Sequence, residues 1–370
     1  MNLTGMQSEK RNKKILIICP HPENVAPGQR LKYEQYFSYF REKGIEIEVS
    51  PFMTMSFWNV VYKKGHYIQK FLWTVWGYLK RIYDAFRLRQ YDGVYIFLWV
   101  TPFGPPIFEF IYSKILGDNF IYDIDDLVFL GNTSKVNKFI SPLKGTGKMK
   151  YLMKKAKHVI VCTPKLFEIA KDLNPNVTDI SSTIDTDKYI PVNKYRNDHP
   201  LILGWSGSHS TSKYLLLIED VLYEISQLYN IKIKVIGDPN FRFKKINAIV
   251  IPWKDETEVK DLQEIDIGLY PLPNDPWVYG KSGLKALQYM GLGIPTIATA
   301  IGANFRVIEQ GKSGFLANNA QDWNFYLVQL IENVDLRRSI GTSARERVEK
   351  IFSVNANKDK YHRIIDLLFR

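Results

Sequence analysis

The chain has 370 residues, 45% of them hydrophobic, enough for two ordinary domains with real cores. Its net charge of +12 favours anionic partners such as nucleic acid, anionic lipid or phosphorylated substrates, although plain solubility also uses such a surface. Two cysteines, Cys19 and Cys162, lie in apolar strand-like runs, which argues against a disulfide framework and fits a reducing cytosol.

In chain order, residues 1–12 are polar and expected to be disordered, with no secretory signal: "ILIIC" behind them is too short for an h-region. A Rossmann-like unit is expected over 13–190. It opens with the apolar strand "KKILIICP" and the loop "HPENVAPGQR". A helix follows, with Tyr33, Tyr36, Phe37 and Phe40 at helical spacing and Gly44 as its stop. "IEIEV" alternates as a second strand, and "GVYIFLWV", "NFIYDI" and "HVIVCT", each continuous or nearly so, read as further strands. Runs that are apolar on both faces belong in a parallel sheet covered by helices. The uncharged stretch Gly93–Phe108 is too short to span a membrane and is broken by Pro102, Gly104, Pro105 and Pro106.

Residues 53–90 interrupt this plan. They hold Lys63, Lys64, Lys70, Lys80, Arg81, Arg87 and Arg89 against the single acid Asp84. Ile68, Leu72, Val75, Trp76, Leu79, Ile82, Tyr83 and Phe86 recur at three-to-four spacing, joined by Trp58 and Trp73. Two readings fit: a basic amphipathic helix lying on an anionic membrane surface, or a helix covering the sheet with its cations in water.

A polar, Pro-bearing linker, "SSTIDTDKYIPVNKYRNDHP", precedes a second unit expected over 191–352. "LILGWS" ends in a Gly/Ser turn, a helix carries Ile218, Val221, Leu222 and Ile225, and "IKIKVIG", "NAIVI", "DIGLYP" and "PTIATA" continue a second sheet. The fold class is therefore α/β, with two Rossmann-like halves whose strand C-termini meet at one cleft.

"YGKSGLKALQYMGLG" contains Gly280, Lys281 and Ser282, the tail of a P-loop. A P-loop needs a glycine at position 275, which is Asp here, so that reading fails. A basic turn opening a helix still suits an anion. The histidines, at 21, 66, 158, 199, 209 and 362, show no metal-ligand spacing, and there is no Cys-x-x-Cys.

The stretch "EIDIGLYPLPNDPWVYGKSGLKALQYMGLGIPTIATAIGANFRVIEQGKSGFLANN" resembles the donor-binding half of GT-B glycosyltransferases of the retaining family four group. Asp266, Pro271, Gly283, Leu284, Leu287, Met290, Gly293, Pro295, Ile297 and Ala298 keep that register. The resemblance covers about residues 150–370 and extends to 14–50, while 53–145 match poorly. It implies an acceptor-side first domain, a nucleotide-sugar domain over 191–352, and a closing helix at 353–370 that crosses back. It implies a metal-independent, cofactor-free transfer of a sugar from a UDP- or GDP-linked donor to a glycolipid or polysaccharide acceptor. The setting would be cytoplasmic, peripheral at the inner membrane face, with no nucleic acid involved. The alternatives are an epimerase-type GT-B enzyme and a non-catalytic GT-B protein that binds membrane or a partner.

Site residues follow from the same resemblance. The family's two Glu, with seven residues between them, fall on Gly280 and Gln288; Gln288 keeps hydrogen-bonding capacity for a ribose but not the charge. Lys281 and Lys285, one turn apart, suit the donor diphosphate, with Ser282 and Gly283 in the turn. Gly204, Ser206, Gly207, Ser208 and Lys213 take the place of the family's phosphate grip, with Trp205 where it has Arg. Gly237 keeps one glycine of a Gly-x-Gly turn, and Trp253 lies where the base is expected. Gly28, Gln29 and Arg30 replace a Gly-rich loop and are expected to reach donor or acceptor. Asp125 or Asp126 stands where many members have a His at the donor sugar, as an acceptor-binding or base-like carboxylate. Asp126 as a helix N-cap and Asp123-x-Asp125 as a metal pair are the competing readings. Lys213 and Lys281 would stabilise the leaving diphosphate.

Overall fold

The computed structural model describes residues 12–127, 147–192, 195 and 200–370; most of the expected N-terminal tail and part of the linker lie outside these. The apolar runs build two sheets. In the first, β1 (Lys13–Cys19), β2 (Ile45–Pro51), β3 (Gly93–Phe97), β4 (Phe120–Ile124), β5 (His158–Val161) and β6 (Val177–Asp179) take the order β2-β1-β3-β4-β5-β6. In the second, β7 (Leu201–Ser206), β8 (Ile231–Ile236), β9 (Ile249–Ile251), β10 (Ile267–Tyr270), β11 (Thr296–Thr299) and β12 (Phe315–Ala317) take the order β12-β11-β10-β7-β8-β9. All described ladders are parallel, and β3 and β4 are buried at every residue, as sheets covered on both faces require. The order reverses beside β1 in the first sheet and between β7 and β10 in the second. Those two crevices are where such sheets bind ligands.

Two strands, β6 and β12, were not expected; at three residues each they are too short to show a period. The expected strand at 93–100 stops at Phe97, because Leu98 takes a left-handed φ of 61°. Ser182, Thr183, Ile184 and Tyr189 of the expected polar linker are buried, so the described part of that segment is packed core. Helix α1 (Phe37–Glu42) buries Phe37 and Phe40 and ends at Gly44, whose φ is 77°.

Residues 53–90 form α2 (Met55–Val61), capped by the Thr54 hydroxyl, and α3 (Tyr67–Arg87). The next helices are α4 (Ile107–Leu116) and α5 (Gly147–Lys155). Helix α3 is inside out. Its whole expected apolar stripe faces solvent, each side chain between 41% and 82% exposed, while Gly77, Arg81 and Asp84 are buried. The Arg81 guanidinium donates to the carbonyls of Cys19 (2.8 Å), Ser50 (3.1 Å) and Val100 (2.8 Å) and to Asp84 (3.0 Å). It thereby ties the C-terminal ends of β1 and β2 and the segment after β3 to the helix. At Gly77 a Cβ would stand 2.5 Å from the Phe52 ring, so only glycine permits this approach. The sheet-covering reading is thus corrected: the helix buries Gly77, Arg81 and Asp84 against the C-terminal ends of the strands and leaves its apolar stripe in solvent. Arg81 is buried, and the half-buried Lys80 donates to the Pro51 carbonyl, so neither belongs among the lipid-facing cations. Among the described residues no helix is long and apolar enough to cross a membrane.

After α6 (Glu258–Gln263) and α7 (Leu284–Gly291), α8 (Val354–Ile365) crosses back to the first sheet, as expected. There Tyr361 packs on Tyr36, with ring centroids 4.4 Å apart, and Ile364, Ile365 and Leu368 join the core of Ile15, Ile17 and Tyr95.

Replacing Arg81 with Ala strands the buried Asp84 and is expected to cost about 3–5 kcal/mol. Leu72→Gln on the outer stripe should change stability by less than about 0.5 kcal/mol. Urea unfolding of both variants checks this; the reverse ranking would mean that α3 packs by its apolar face.

Candidate functional site

The two crevices open toward each other. In the second half, β7 leads into Gly207 and β10 into Pro271. Lys285, on the first turn of α7, spans the switch point between them: its ammonium lies 5.4 Å from the Trp205 ring centroid and 5.5 Å from that of Tyr270. A Cβ on Gly207 would come within 2.5 Å of the Lys285 side chain, and one on Gly237, whose φ is 112°, within 2.1 Å of the Gly207 carbonyl. The two glycines let the β7 and β8 loops close around the lysine. Gly283, at φ 80°, starts α7 with no side-chain cap, leaving first-turn N–H groups aimed at the same place. Among the described residues Lys285 has no carboxylate partner. Burial, then repulsion from Lys281, lowers its ammonium to about 8.

Lys281 has a partner: it reaches across to Asp126 of the first half and lies 5.0 Å over the Trp277 ring. Trp277 stands against Tyr214 at 5.7 Å, and exposed Lys213 lies 5.5 Å over Tyr214. The three lysines therefore share one wall, with Lys213 at its outer end. Ser282 bonds Ser182 across the halves (2.7 Å). Ser208 sits at the mouth, its hydroxyl bonded to that of Ser210 (2.8 Å).

Among the described residues the Asp125 carboxyl also has no ion pair or side-chain hydrogen bond. Its carboxyl lies against Gly28, where a Cβ would come within 2.2 Å of Oδ2. Burial raises it to about 7; Lys32 opposes that, while Asp126 and Asp123 add to it. A carboxyl titrating there suits general acid–base work. Asp126 accepts from the Leu127 N–H (2.7 Å) as well as from Lys281; its reading as a helix cap concerns residues outside those described. Asp123 is taken by Lys32 and Tyr95, buried beneath the crevice, so it has no oxygen to offer a metal beside Asp125.

Seven other expected contacts are placed differently. Gly204 lies within β7, where a Cβ would meet Ile265 at 2.2 Å, so it shapes packing and does not line the cleft. The Ser206 N–H is taken by the Tyr289 hydroxyl (2.7 Å), and that of Gly207 by the Ile236 carbonyl (2.9 Å). Gln29 is buried and braces its own loop through His21 (3.0 Å) and Glu34 (2.9 Å). Arg30 forks onto Glu258 (2.8 Å to each oxygen) and covers the Trp253 ring at 5.2 Å. Gln288 donates to Tyr189 (3.0 Å) and Glu258 (3.3 Å). Arg30, Trp253 and Gln288 thus form one interdomain network rather than an open base and ribose site.

The hub of that network, Glu258, was not singled out in the sequence, and neither were Tyr189, Lys32 or Trp277. Burial alone would raise the Glu258 carboxyl, but Arg30, Trp253 and Tyr189 hold it below the usual carboxylate range. Only Trp277, in a loop before a lysine, gives a readable signal, as an aromatic beside an expected anion site.

Residues 200–333 match the family model of glycosyl transferases group 1. Over 87 residues, 23% of this chain, the sequence is 29% identical to trehalose synthase of Pyrococcus horikoshii, and the match spans only 21% of that protein. The fold is similar to sucrose-phosphate synthase from Thermosynechococcus elongatus, with a TM-score of 0.67, 14% identity and coverage of 96% of this chain and 99% of that one. It is also similar to Anabaena HepE in complex with UDP-glucose, with a TM-score of 0.66, 13% identity and coverage of 96% and 99%. The fold is GT-B.

Lys285 gives a stability test with a definite sign. Its folded value, about 8, lies below the ordinary 10.5, so the ammonium costs stability in full below pH 8. That cost fades between pH 8 and 10.5, where the folded state loses the proton first. Lys285→Met should therefore raise Tm at pH 7, with a smaller gain at pH 10. A lower Tm at pH 7 would mean that Lys285 already has a stabilising partner.

Proposed function

We propose that this GT-B chain is a retaining glycosyltransferase that moves a sugar from a UDP- or GDP-linked donor to a glycolipid or polysaccharide acceptor at an anionic membrane surface. The observation that carries the reading is Lys285: a cation without a carboxylate partner among the described residues, held over the crevice between β7 and β10 at the start of α7. An anion seated there gains charge, helix N–H groups and exclusion of water together. HepE, a structure of the same fold, holds UDP-glucose.

In the transfer, the bond from the sugar's anomeric carbon to the diphosphate oxygen breaks, and a bond to an acceptor oxygen forms. The leaving diphosphate gains negative charge, which Lys285 and Lys281 stabilise, with Lys213 at the outer end of the same wall. Lys281 reaches the diphosphate by loosening its bond to Asp126. The acceptor hydroxyl loses its proton to Asp125, whose carboxyl titrates near neutrality. Asp123 is committed to Lys32 and Tyr95, which favours a transfer that needs no metal ion at that carboxylate pair.

UDP or GDP should raise Tm, Lys285→Met should abolish the rise, and Lys281→Ala should weaken binding by about 1.5–3 kcal/mol. A Met variant that still responds fully to both nucleotides would sink the phosphate role. Transfer should persist in EDTA; complete loss, restored by Mg²⁺, would reinstate a metal.

With Asp125 as base, the rate rises with pH through about 7. Asp125→Asn should remove that limb from the kcat/KM profile and lower the plateau about 100-fold or more. An unchanged limb would assign the proton transfer elsewhere.

A further inference from the structure

We infer that the outward face of α3, continued by α4, is the surface by which this protein docks on an anionic bilayer. The inference deepens the proposed membrane setting by naming the surface that makes the contact. Helix α3 offers Phe71, Trp76, Leu79 and Phe86 to solvent, and the neighbouring segment adds Phe103, Ile107 and Phe110, each at least 48% exposed. The two stretches are one surface: the Tyr78 hydroxyl bonds the Phe103 carbonyl (2.8 Å), and the Tyr112 hydroxyl bonds the Arg81 carbonyl (2.9 Å). Apolar area of that breadth on one face marks an interaction site.

The face cannot be satisfied from within. Turning α3 would pull Arg81 from its three carbonyls and Asp84, and would drive Phe52 into a bulkier position than Gly77. The helix is also too polar to span a bilayer. What remains is insertion in the interface plane, apolar side down.

Charge selects the occupant. Lys63, Lys64, Arg89 and Lys114 are exposed around the apolar surface, with half-buried Lys70 beside them, while Arg87 is paired with Glu48. The acids between Met53 and Lys114 are Asp84, Asp92 and Glu109. Asp84 and Glu109 are buried, and Asp92 accepts from the Lys14 N–H (2.7 Å). A second copy seated on this face would set one cationic rim against another. Anionic headgroups complement it, and cations near such a surface each contribute about 1 kcal/mol.

The face also leads to the cleft. From α3 the chain runs back into α2, where Trp58 and Tyr62 pack at 5.3 Å; Trp58 meets His21 at 5.0 Å and Tyr62 meets His209 at 6.5 Å. His209 follows Ser208 at the mouth of the diphosphate site. A docked protein therefore holds that mouth beside the lipid surface, where a lipid-linked acceptor presents its headgroup.

Co-sedimentation with vesicles tests this. Wild type should pellet with phosphatidylglycerol vesicles at low salt, less at high salt, and little with phosphatidylcholine. The triple variant Phe71→Ser, Trp76→Ser and Phe86→Ser should lose roughly tenfold or more of that binding, with its Tm and its response to UDP or GDP intact. Lys63→Glu with Lys64→Glu should weaken binding and flatten its salt dependence. No pelleting of wild type at low salt overturns the proposal, as does a triple variant that pellets like wild type. A concentration-dependent dimer that ignores vesicles and is split by the triple variant also overturns it, assigning the face to a second copy. Vesicle binding without any nucleotide response would instead sink the transferase reading and leave this one standing.

Discussion

One buried ion pair fixes how the halves meet. Arg30 comes from the loop after β1, and Glu258 from the start of α6. Removing both charges from water costs several kcal/mol per ion unless every lone pair and proton finds a partner. The Glu258 oxygens find theirs in the Arg30 fork, the Trp253 indole, the Tyr189 hydroxyl and the Gln288 amide, while the buried Arg30 Nε has no hydrogen-bond partner among the described residues. Those groups come from the first half, the segment after β6, the loop after β9 and α7. The requirement to satisfy one carboxylate therefore sets the position of α7, and with it Lys281 and Lys285. Inside the first half Lys32 and Asp123 play a similar part beneath the crevice: burial raises both Asp123 and Asp125, but Asp123 is committed to Lys32 and Tyr95, which leaves Asp125 as the one facing the Gly28 loop.

The two lysines of the α7 turn show how position decides the fate of a charge. Lys281 finds Asp126 across the cleft, while Lys285 lies against the Trp205 and Tyr270 rings and Gly207, with no carboxylate partner among the described residues. The close approach at Lys281 depends on its neighbour. A Cβ on Gly280 would stand 2.6 Å from the Leu127 nitrogen and from an Asp126 oxygen. A glutamate there, as in the resembling family, would hold the halves apart, so the departure at Gly280 goes together with the Lys281–Asp126 contact.

Much of this was legible in the sequence. Continuous apolar runs, with the alternating "IEIEV" and "IKIKVIG", gave ten of the twelve described strands in order, because a strand covered on both faces has few polar positions to disguise it. The Gly283 turn and its lysines marked the cationic wall of the second crevice, since a glycine opening a helix beside two lysines reads locally. What stayed hidden depends on contacts distant in sequence. The spacing of Leu72, Trp76 and Leu79 shows that α3 has an apolar face, but not which way it points. The inward side is chosen by Arg81 bonding carbonyls on three segments, and carbonyls leave no mark in the side-chain pattern. Arg30 and Gln288 look like ligand contacts until Glu258 is placed between them, 228 and 30 positions away.

The crossing of α8 has a consequence for how the molecule is made. The first sheet's core is closed by Tyr361, Ile364, Ile365 and Leu368, which come after the entire second sheet. A ribosome delivers the chain from its N-terminus, so Ile15, Ile17, Tyr36 and Tyr95 wait with one side unfilled while the second half is synthesised. The half that begins first is therefore the half that finishes last, and during that interval its unfilled side is a surface for chaperones.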